Sequence, residues 1–290
     1  MGPKKTTRST RAAQPTAPID TPALDEAALP ALSLAPRAPI TALRWYGRAE
    51  PALPLPATQR RFTLGARGCD LIVPRAVATT VSPVHAIVTR VHSGLRIEDR
   101  DTRNGTFRTL GSARLASFQI EAGDRFWVAD LSVIALDDAL EVLRPSLAWC
   151  LGLDAHGAID RATEAVALGR PIALLGPVGT DAARLARAIH DASPQRGNPF
   201  LAVSAAPLPS RDVAGGGTIF LELDRLRLVP APHLRAWFDA TRGVRLIVAA
   251  ANERRLRACV DTYRSAGRDR AGAPRGAPDG SAAVARPAVA

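Results

Sequence analysis

Short β-prone runs separated by turn signals fill residues 41–143, and they constrain the fold of this chain more than any other feature. Residues 95–98 alternate apolar and polar side chains, as a half-buried strand does, and residues 92–94 before them favour a turn. Residues 126–128 and 133–136 are further short, β-prone runs. Short strands with turns between them predict an antiparallel β-sandwich.

Five sequence blocks in this region follow a recognisable order. They are residues 64–65, 69–74, 82–86, 99–106 and 123–124. Their order and spacing resemble the forkhead-associated (FHA) domain, a β-sandwich that binds phosphothreonine peptides on loops at one end. The resemblance implies a recognition protein rather than an enzyme. Loops can bind a peptide in this way because the rigid sheets beneath hold them in place.

The FHA resemblance also implies roles for individual residues. The residues expected to bind the phosphopeptide are Arg67, Ser82, Arg103 and Asn104. The residues expected to support the loops are Gly65, His85 and Gly105. By resemblance, the Ser82 hydroxyl binds the phosphate, His85 braces its loop and Asn104 holds the peptide backbone.

Two positions depart from the FHA pattern. Ala66 stands where the family usually has its phosphate-binding arginine, and Pro83 offers neither a side-chain donor nor an N–H. We expect Arg67 to take over the phosphate contact and Arg103 to restore the lost charge. The alternative is a sandwich that keeps its fold while its phosphate site has decayed.

The pattern changes near Pro145. Alanine and leucine recur at helical spacing between about Leu147 and Leu168. Buried strands are predicted at residues 172–175, 200–203, 218–221 and 245–249, with helices at 182–191 and 233–240. Strands that alternate with helices predict a small α/β domain with a parallel sheet.

Motifs in this second half resemble another family. Residues 176–182 align with a Walker A loop, residues 216–222 with a Walker B strand, and Asn252 with a sensor asparagine. The succession resembles the AAA+ domain of sigma-54-dependent transcription activators, which often carry an FHA domain upstream. The resemblance implies a truncated P-loop AAA+-like domain.

The nucleotide site of that domain is predicted to be degenerate. Its residues are Gly176, Gly179, Thr180, Asp181, Ala182, Glu222 and Asn252. A P-loop needs a lysine on the β- and γ-phosphates. Ala182 replaces that lysine, Leu223 replaces the catalytic carboxylate, and no lysine follows Lys5. We therefore expect no ATPase activity and no bound cofactor, with residual nucleotide binding without turnover as the alternative.

The AAA+-like region also lacks a segment. Roughly several tens of residues are missing between Pro209 and Gly215, including the loop by which the resembled activators contact sigma-54. The expected role is a docking scaffold, whose partner would be a related AAA+ activator or a second copy of the chain.

The composition of the chain says less about its binding partners than the motifs do. The formal net charge is +11, which favours an anionic partner. However, Lys4 and Lys5 are the only lysines, and the arginines are scattered, which indicates a GC-rich genome rather than a nucleic-acid surface. Direct DNA binding is not expected. The three cysteines fit neither a disulfide framework nor a metal site, and no apolar run approaches a membrane span, so a cytoplasmic location is predicted.

These patterns divide the chain into four parts. They are a disordered arm (1–40), the FHA sandwich (41–143), the truncated AAA+-like α/β domain (147–263) and a disordered tail (264–290). The leading interpretation is a phosphothreonine-binding signalling adaptor downstream of a Ser/Thr kinase, acting on transcription indirectly. Two alternatives stay open: an ATP-binding sigma-54-dependent transcription regulator, and a decayed paralogue that acts only as a protein-interaction scaffold.

Overall fold

A computed structural model describes residues 38–92, 94–177, 180–204, 208, 217–226, 231–240, 244–268 and 283–285. Its first half contains ten strands. They are β1 (Ala42–Trp45), β2 (Leu53–Pro54), β3 (Arg61–Gly65), β4 (Leu71–Ile72), β5 (Ala86–Val91), β6 (Gly94–Asp99), β7 (Thr106–Phe107), β8 (Ser117–Ile120), β9 (Arg125–Val128) and β10 (Leu131–Leu136).

These strands form two five-stranded sheets, in the orders β2-β1-β10-β9-β7 and β4-β3-β5-β6-β8. Neighbours pair antiparallel, except β3 with β4, which is parallel. In β6 the side chains of Leu95 and Ile97 are fully buried while Arg96 is exposed, as the alternation predicts. The prediction of an all-β sandwich is confirmed.

The described residues of the second half form five helices and five strands. The helices are α1 (Asp138–Leu151), α2 (His156–Ala167), α3 (Ala182–Asp191), α4 (Ala231–Ala240) and α5 (Glu253–Arg268). The strands are β11 (Ile172–Leu175), β12 (Phe200–Val203), β13 (Thr218–Glu222), β14 (Arg245–Ala250) and β15 (Ala283–Ala285). The strands lie in the order β12-β13-β14-β11-β15, and neighbours pair parallel. Assignment of this half to the AAA+ family stays a prediction.

Helix α1 begins earlier than the sequence pattern indicates. The Asp137 side chain accepts a hydrogen bond from the N–H of Leu140 (2.9 Å), which caps the helix inside the segment assigned to the sandwich. Pro145 lies within α1 rather than before it. One side of α1 is buried through Leu140, Leu143 and Leu147, and this packing offsets the hydrogen bond that proline removes.

The end of the ordered α/β half also differs from expectation. Helix α5 continues to Arg268, into the segment assigned to a disordered tail, and β15 pairs with β11 beyond it. The arm assigned to residues 1–40 lies outside the described residues up to residue 37.

One hydrophobic core extends from the sandwich into the α/β half, and a second lies within the α/β half, around β13, β14 and α5. Buried side chains continue without a break from the sandwich through α1 and α2 to β11 and α3. At one contact, a Cβ added to Gly123 would lie 1.9 Å from the Cβ of Ala167, so α2 approaches the β8–β9 turn too closely for any other residue. Gly123 also has φ +87°, which glycine adopts without strain. The two halves are therefore packed together rather than joined by a free linker.

A buried ionic cluster lies in the same interface. The Asp160 side chain on α2 is fully buried and accepts a hydrogen bond from the N–H of Gly47 in the sandwich (2.7 Å). Its carboxylate also pairs with Arg144 of α1 and with Arg44 of β1, whose Nε lies 3.5 Å away. Two arginines from different elements thus share one buried carboxylate.

Candidate functional site

Three loops meet at one end of the sandwich. Loop A is residues 66–70, loop B is residues 73–85 and loop C is residues 100–105, between β3 and β4, β4 and β5, and β6 and β7 respectively. They contain every residue expected to contact a phosphopeptide, and backbone and side-chain hydrogen bonds join them.

Loop A is attached to loop B by two backbone hydrogen bonds. Ala66 donates its N–H to the carbonyl of Ser82 (2.9 Å), and Arg67 donates its N–H to the carbonyl of Pro83 (3.2 Å). A Cβ on Gly65 would lie 2.0 Å from the Pro83 oxygen, so only glycine allows this approach. The exposed Arg67 side chain is thereby fixed at its base beside Ser82.

His85 joins loop B to loop C. Its Nδ1 accepts a hydrogen bond from the N–H of Ser82 (3.1 Å), so the ring proton is on Nε2, which donates to the carbonyl of Gly105 (2.9 Å). The Thr102 hydroxyl also lies 3.2 Å from Nε2. Burial lowers the pKa of His85 below its ordinary value. A neutral ring in one tautomer therefore holds both loops.

Asp99, at the end of β6, organises loop C. It accepts hydrogen bonds from the Thr102 N–H (2.9 Å), the Thr106 hydroxyl (3.1 Å) and Arg114 Nη2 (2.8 Å). Burial raises the pKa of Asp99, but these hydrogen bonds outweigh it and the net shift is downward. Asp99 and Thr102 belong to a block that the sequence singled out, yet neither was assigned a role, and only their hydrogen bonds reveal it.

Asn104 lies where loop C meets loop B. Its Nδ2 donates to the carbonyl of Thr80 (2.7 Å), and the Thr80 hydroxyl donates to Asp130. The neighbouring Arg103 side chain is exposed. Gly105 has φ +71°, a conformation that favours glycine and completes the turn. The predicted contact residues of loops B and C are thus brought together.

The loops also carry more positive than negative charge. Their exposed arginines are Arg67, Arg75, Arg100 and Arg103. Their acidic residues already have partners. Asp70 accepts hydrogen bonds from the N–H and the hydroxyl of Thr63, and Asp101 pairs with Arg114 at 3.4 Å. Positive charge, a half-buried hydroxyl at Ser82 and an amide at Asn104 thus lie on neighbouring loops, and such groups form charge-assisted hydrogen bonds to anions.

The described residues of the predicted degenerate nucleotide site lie at the carboxyl edge of the parallel sheet. Gly176 donates its N–H to the carbonyl of Ala250 (3.1 Å), so the ends of β11 and β14 meet there. Thr180 donates its hydroxyl to Pro177 (2.9 Å) rather than presenting it to a ligand. Gly179 lies outside the described residues.

Charged groups at this edge pair with each other. The exposed Asp181 side chain precedes α3 and lies 3.8 Å from Arg184. Ala182, at the position of the P-loop lysine, is the first residue of α3. Glu222 pairs with Arg225 at 3.0 Å. Ala182 offers no cation at the position where a P-loop has its lysine.

Asp224 is a carboxylate that the sequence motif did not identify. Its Oδ2 accepts the N–H of Ala251, and its Oδ1 accepts Arg255 Nη1 (2.9 Å). Asn252 caps helix α5, because its Oδ1 accepts a hydrogen bond from the N–H of Arg255 (3.0 Å). Asp224 and Asn252 therefore fix the start of α5.

Neither a metal-binding cluster nor a membrane-spanning helix is found among the described residues. They contain no group of three or more His, Cys, Asp or Glu side chains arranged to hold a metal ion. None of their helices combines the length and apolar character needed to cross a membrane.

Comparison with solved structures finds FHA domains, which match about a third of this chain. One belongs to a structural and functional analysis of phosphothreonine-dependent FHA domain interactions; it is 18% identical, the match covers 33% of this chain and 94% of that chain, and the TM-score is 0.28. The FHA domain of CT664 from Chlamydia trachomatis is 14% identical over 33% of this chain and 95% of that chain, with a TM-score of 0.28. EmbR from Mycobacterium tuberculosis, in complex with a low-affinity phosphopeptide, is 17% identical over 33% of this chain and 24% of that chain, with a TM-score of 0.28.

No protein-family model and no curated protein matches this sequence.

Proposed function

We propose that the sandwich binds a phosphothreonine-containing segment of a partner protein on loops A, B and C, as the FHA resemblance implies. The observation that carries this proposal is the hydrogen-bonded linkage among the loops: Arg67 is attached to Pro83, and His85 connects Ser82 to Gly105. One rigid surface then presents a guanidinium, a hydroxyl and an amide together.

A phosphate suits this surface because charge-assisted hydrogen bonds are stronger than neutral ones. In the proposed complex, Arg67 and the Ser82 hydroxyl contact the phosphate, and Asn104 holds the peptide backbone. Arg103 adds charge near the phosphate. The loss of the usual arginine at Ala66 is offset by Arg67, whose backbone is anchored one residue along the same loop.

Binding of phosphothreonine peptides, with unphosphorylated peptides as reference, tests the proposal. We expect Arg67→Ala and Ser82→Ala each to weaken phosphopeptide affinity by about tenfold or more, the usual effect of losing a charge-assisted hydrogen bond. The matched controls are Arg96→Ala and Ser117→Ala, which change exposed residues on β6 and β8. Equal affinity for phosphorylated and unphosphorylated peptides would refute the proposal.

We also propose that the α/β half is an inactive scaffold that neither hydrolyses ATP nor holds a cofactor, and that the protein works as an adaptor downstream of a Ser/Thr kinase. Two residues support an inactive α/β half. Ala182 lacks the cation of a P-loop lysine, and the exposed carboxylate of Asp181 repels phosphate. Mg-ATP is expected to leave the midpoint of thermal unfolding unchanged. A raised midpoint would favour the alternative of an ATP-binding regulator.

A further inference from the structure

Helix α1 exposes an apolar face. Val142 is 77% exposed and Trp149 is 85% exposed, and Leu153 just beyond the helix is 73% exposed. Pro145 and Ser146 are exposed between them. Because α1 has 3.6 residues per turn, this spacing puts the exposed residues on one side of the helix. We name residues 142, 145, 146, 149 and 153 the α1 face.

The α1 face does not contribute to the core of the protein. The opposite side of α1 packs through Leu140, Leu143 and Leu147, and α1 contacts α2, α3 and β10. A contiguous exposed apolar surface that includes a tryptophan is unusual on a soluble domain and indicates a binding surface.

The chain that precedes the described residues enters beside this face. The Thr41 hydroxyl donates to Glu141 Oε2 (3.1 Å), and Glu141 is the neighbour of Val142. The described chain begins at residue 38, so residues 1–37 join the described chain three residues before Thr41, which contacts α1. The arm is thus tethered next to the α1 face.

The arm contains an apolar segment within reach. Residues 28–36 carry no charge, and among them Leu29, Leu32 and Leu34 are large and apolar. Leu34 lies seven residues before Thr41, and seven residues of extended chain span about 23 Å. The eight residues from Glu141 to Trp149 advance only about 12 Å along a helix. Leu32 and Leu34 can therefore reach Trp149.

The charges next to these two apolar surfaces are complementary. Arg37 follows the uncharged segment, and the first turn of α1 carries Asp138 and Glu141, with no basic residue in its last turn. Acidic residues at the start of α1 thus lie where the cationic end of the segment enters.

We propose that residues 29–34 of the chain's own arm pack on the α1 face. Leu32 and Leu34 cover Trp149 and Val142, and Arg37 lies near Asp138. The short tether gives the arm a high effective concentration at this face, which favours it over a second copy or a separate partner. This inference is independent of phosphopeptide binding.

Acrylamide quenching of tryptophan fluorescence in the full chain tests the proposal. Trp45, Trp127 and Trp237 are at most 8% exposed, so Trp149 dominates the quenchable signal, and Trp149→Phe defines the background. We expect Trp149 to be protected in the unmodified chain. The double variant Leu32→Asn with Leu34→Asn is expected to lose this protection, and its quenching to approach that of free N-acetyltryptophanamide.

The matched control is Ala12→Asn with Ala17→Asn, which changes the arm outside residues 29–34 and is expected to keep the protection. Full quenching of Trp149 in the unmodified chain would overturn the proposal. Protection that weakens on dilution would overturn it too, because it would identify a second copy as the occupant.

Discussion

His85 Nε2 lies 2.9 Å from the carbonyl oxygen of Gly105 and thereby connects two loops that are 15 residues apart at their nearest ends (85 to 100). The ring is fully buried, and its Nδ1 is occupied by the Ser82 N–H. Both nitrogens have partners only while the ring is neutral, since protonation would place a proton on the Nδ1 that now accepts. Order in the candidate site therefore depends on the protonation state of His85.

Acid should destabilise the protein through this ring. The pKa of His85 is lowered from 6.5 by burial, so the unfolded chain binds the proton more readily than the folded chain. The stability contributed is fully present above about pH 6.5 and is lost as pH falls towards the lower, folded pKa. The free energy of unfolding, measured in denaturant between about pH 7.5 and 5, should fall more steeply in the wild type than in His85→Gln.

Burial lowers the pKa of His190 as well, so it contributes in the same direction in both proteins. The difference between wild type and variant therefore isolates His85. Identical pH dependence in the two proteins would contradict the assigned role.

Gly65→Ala should disturb the loops through a steric contact. The new Cβ would lie 2.0 Å from the Pro83 oxygen, which is backbone and cannot turn aside. We expect a loss of about 1–3 kcal/mol in the free energy of unfolding, typical of an overpacked site, together with weaker phosphopeptide binding. Denaturant unfolding and peptide titration would measure the two effects.

Gly111→Ala is the control, because nothing lies within 4 Å of its Cβ position and only its φ of +79° opposes the change. That strain is expected to cost about 1 kcal/mol and to leave peptide affinity unaltered. Equal peptide affinity in both variants would argue against the role of Gly65 in the site.

Asp160→Asn should weaken the attachment of the helices to the sandwich. The change leaves the buried Arg44 and the largely buried Arg144 without their shared carboxylate, and breaking a buried pair typically costs about 3–5 kcal/mol. Asp191→Asn removes an exposed pair with Arg187 and should cost less than about 1 kcal/mol. Denaturant unfolding measures the free energy of unfolding of both variants. Similar small losses of stability in the two would show that the buried cluster is dispensable.

Cys259 should be the least reactive of the three thiols. Burial raises its pKa to about 12, and it is only 5% exposed. Cys69 and Cys150 are half-buried, with pKa values raised mainly by burial. Alkylation at mildly alkaline pH, mapped by mass spectrometry, should modify Cys259 last and mainly after unfolding. Modification of Cys259 as fast as Cys69 would contradict its burial.

Elements whose structure depends on short-range pattern could be predicted from the sequence. Alternation identified β6, and apolar runs identified β11 and β14, because strand periodicity follows from which face is buried. The start of α1 was not predicted, because the change of pattern at Pro145 suggested a later start. Capping by Asp137 and burial against other elements stabilise the helix from Asp138 onward. The contact residues of the candidate site remain predictions, although the structure brings Ser82 and Asn104 to neighbouring loops.

The sandwich pattern, the loop residues and the absence of a P-loop lysine follow from the sequence alone, because each depends on residue type and local spacing. The sharing of Asp160 by Arg44 and Arg144, and the pairing of Asp224 with Arg255, became visible only in the packed fold. Such partners are far apart in the chain and meet only when separate elements pack. Burial then makes their pairing consequential, because an unpaired charge is costly away from water.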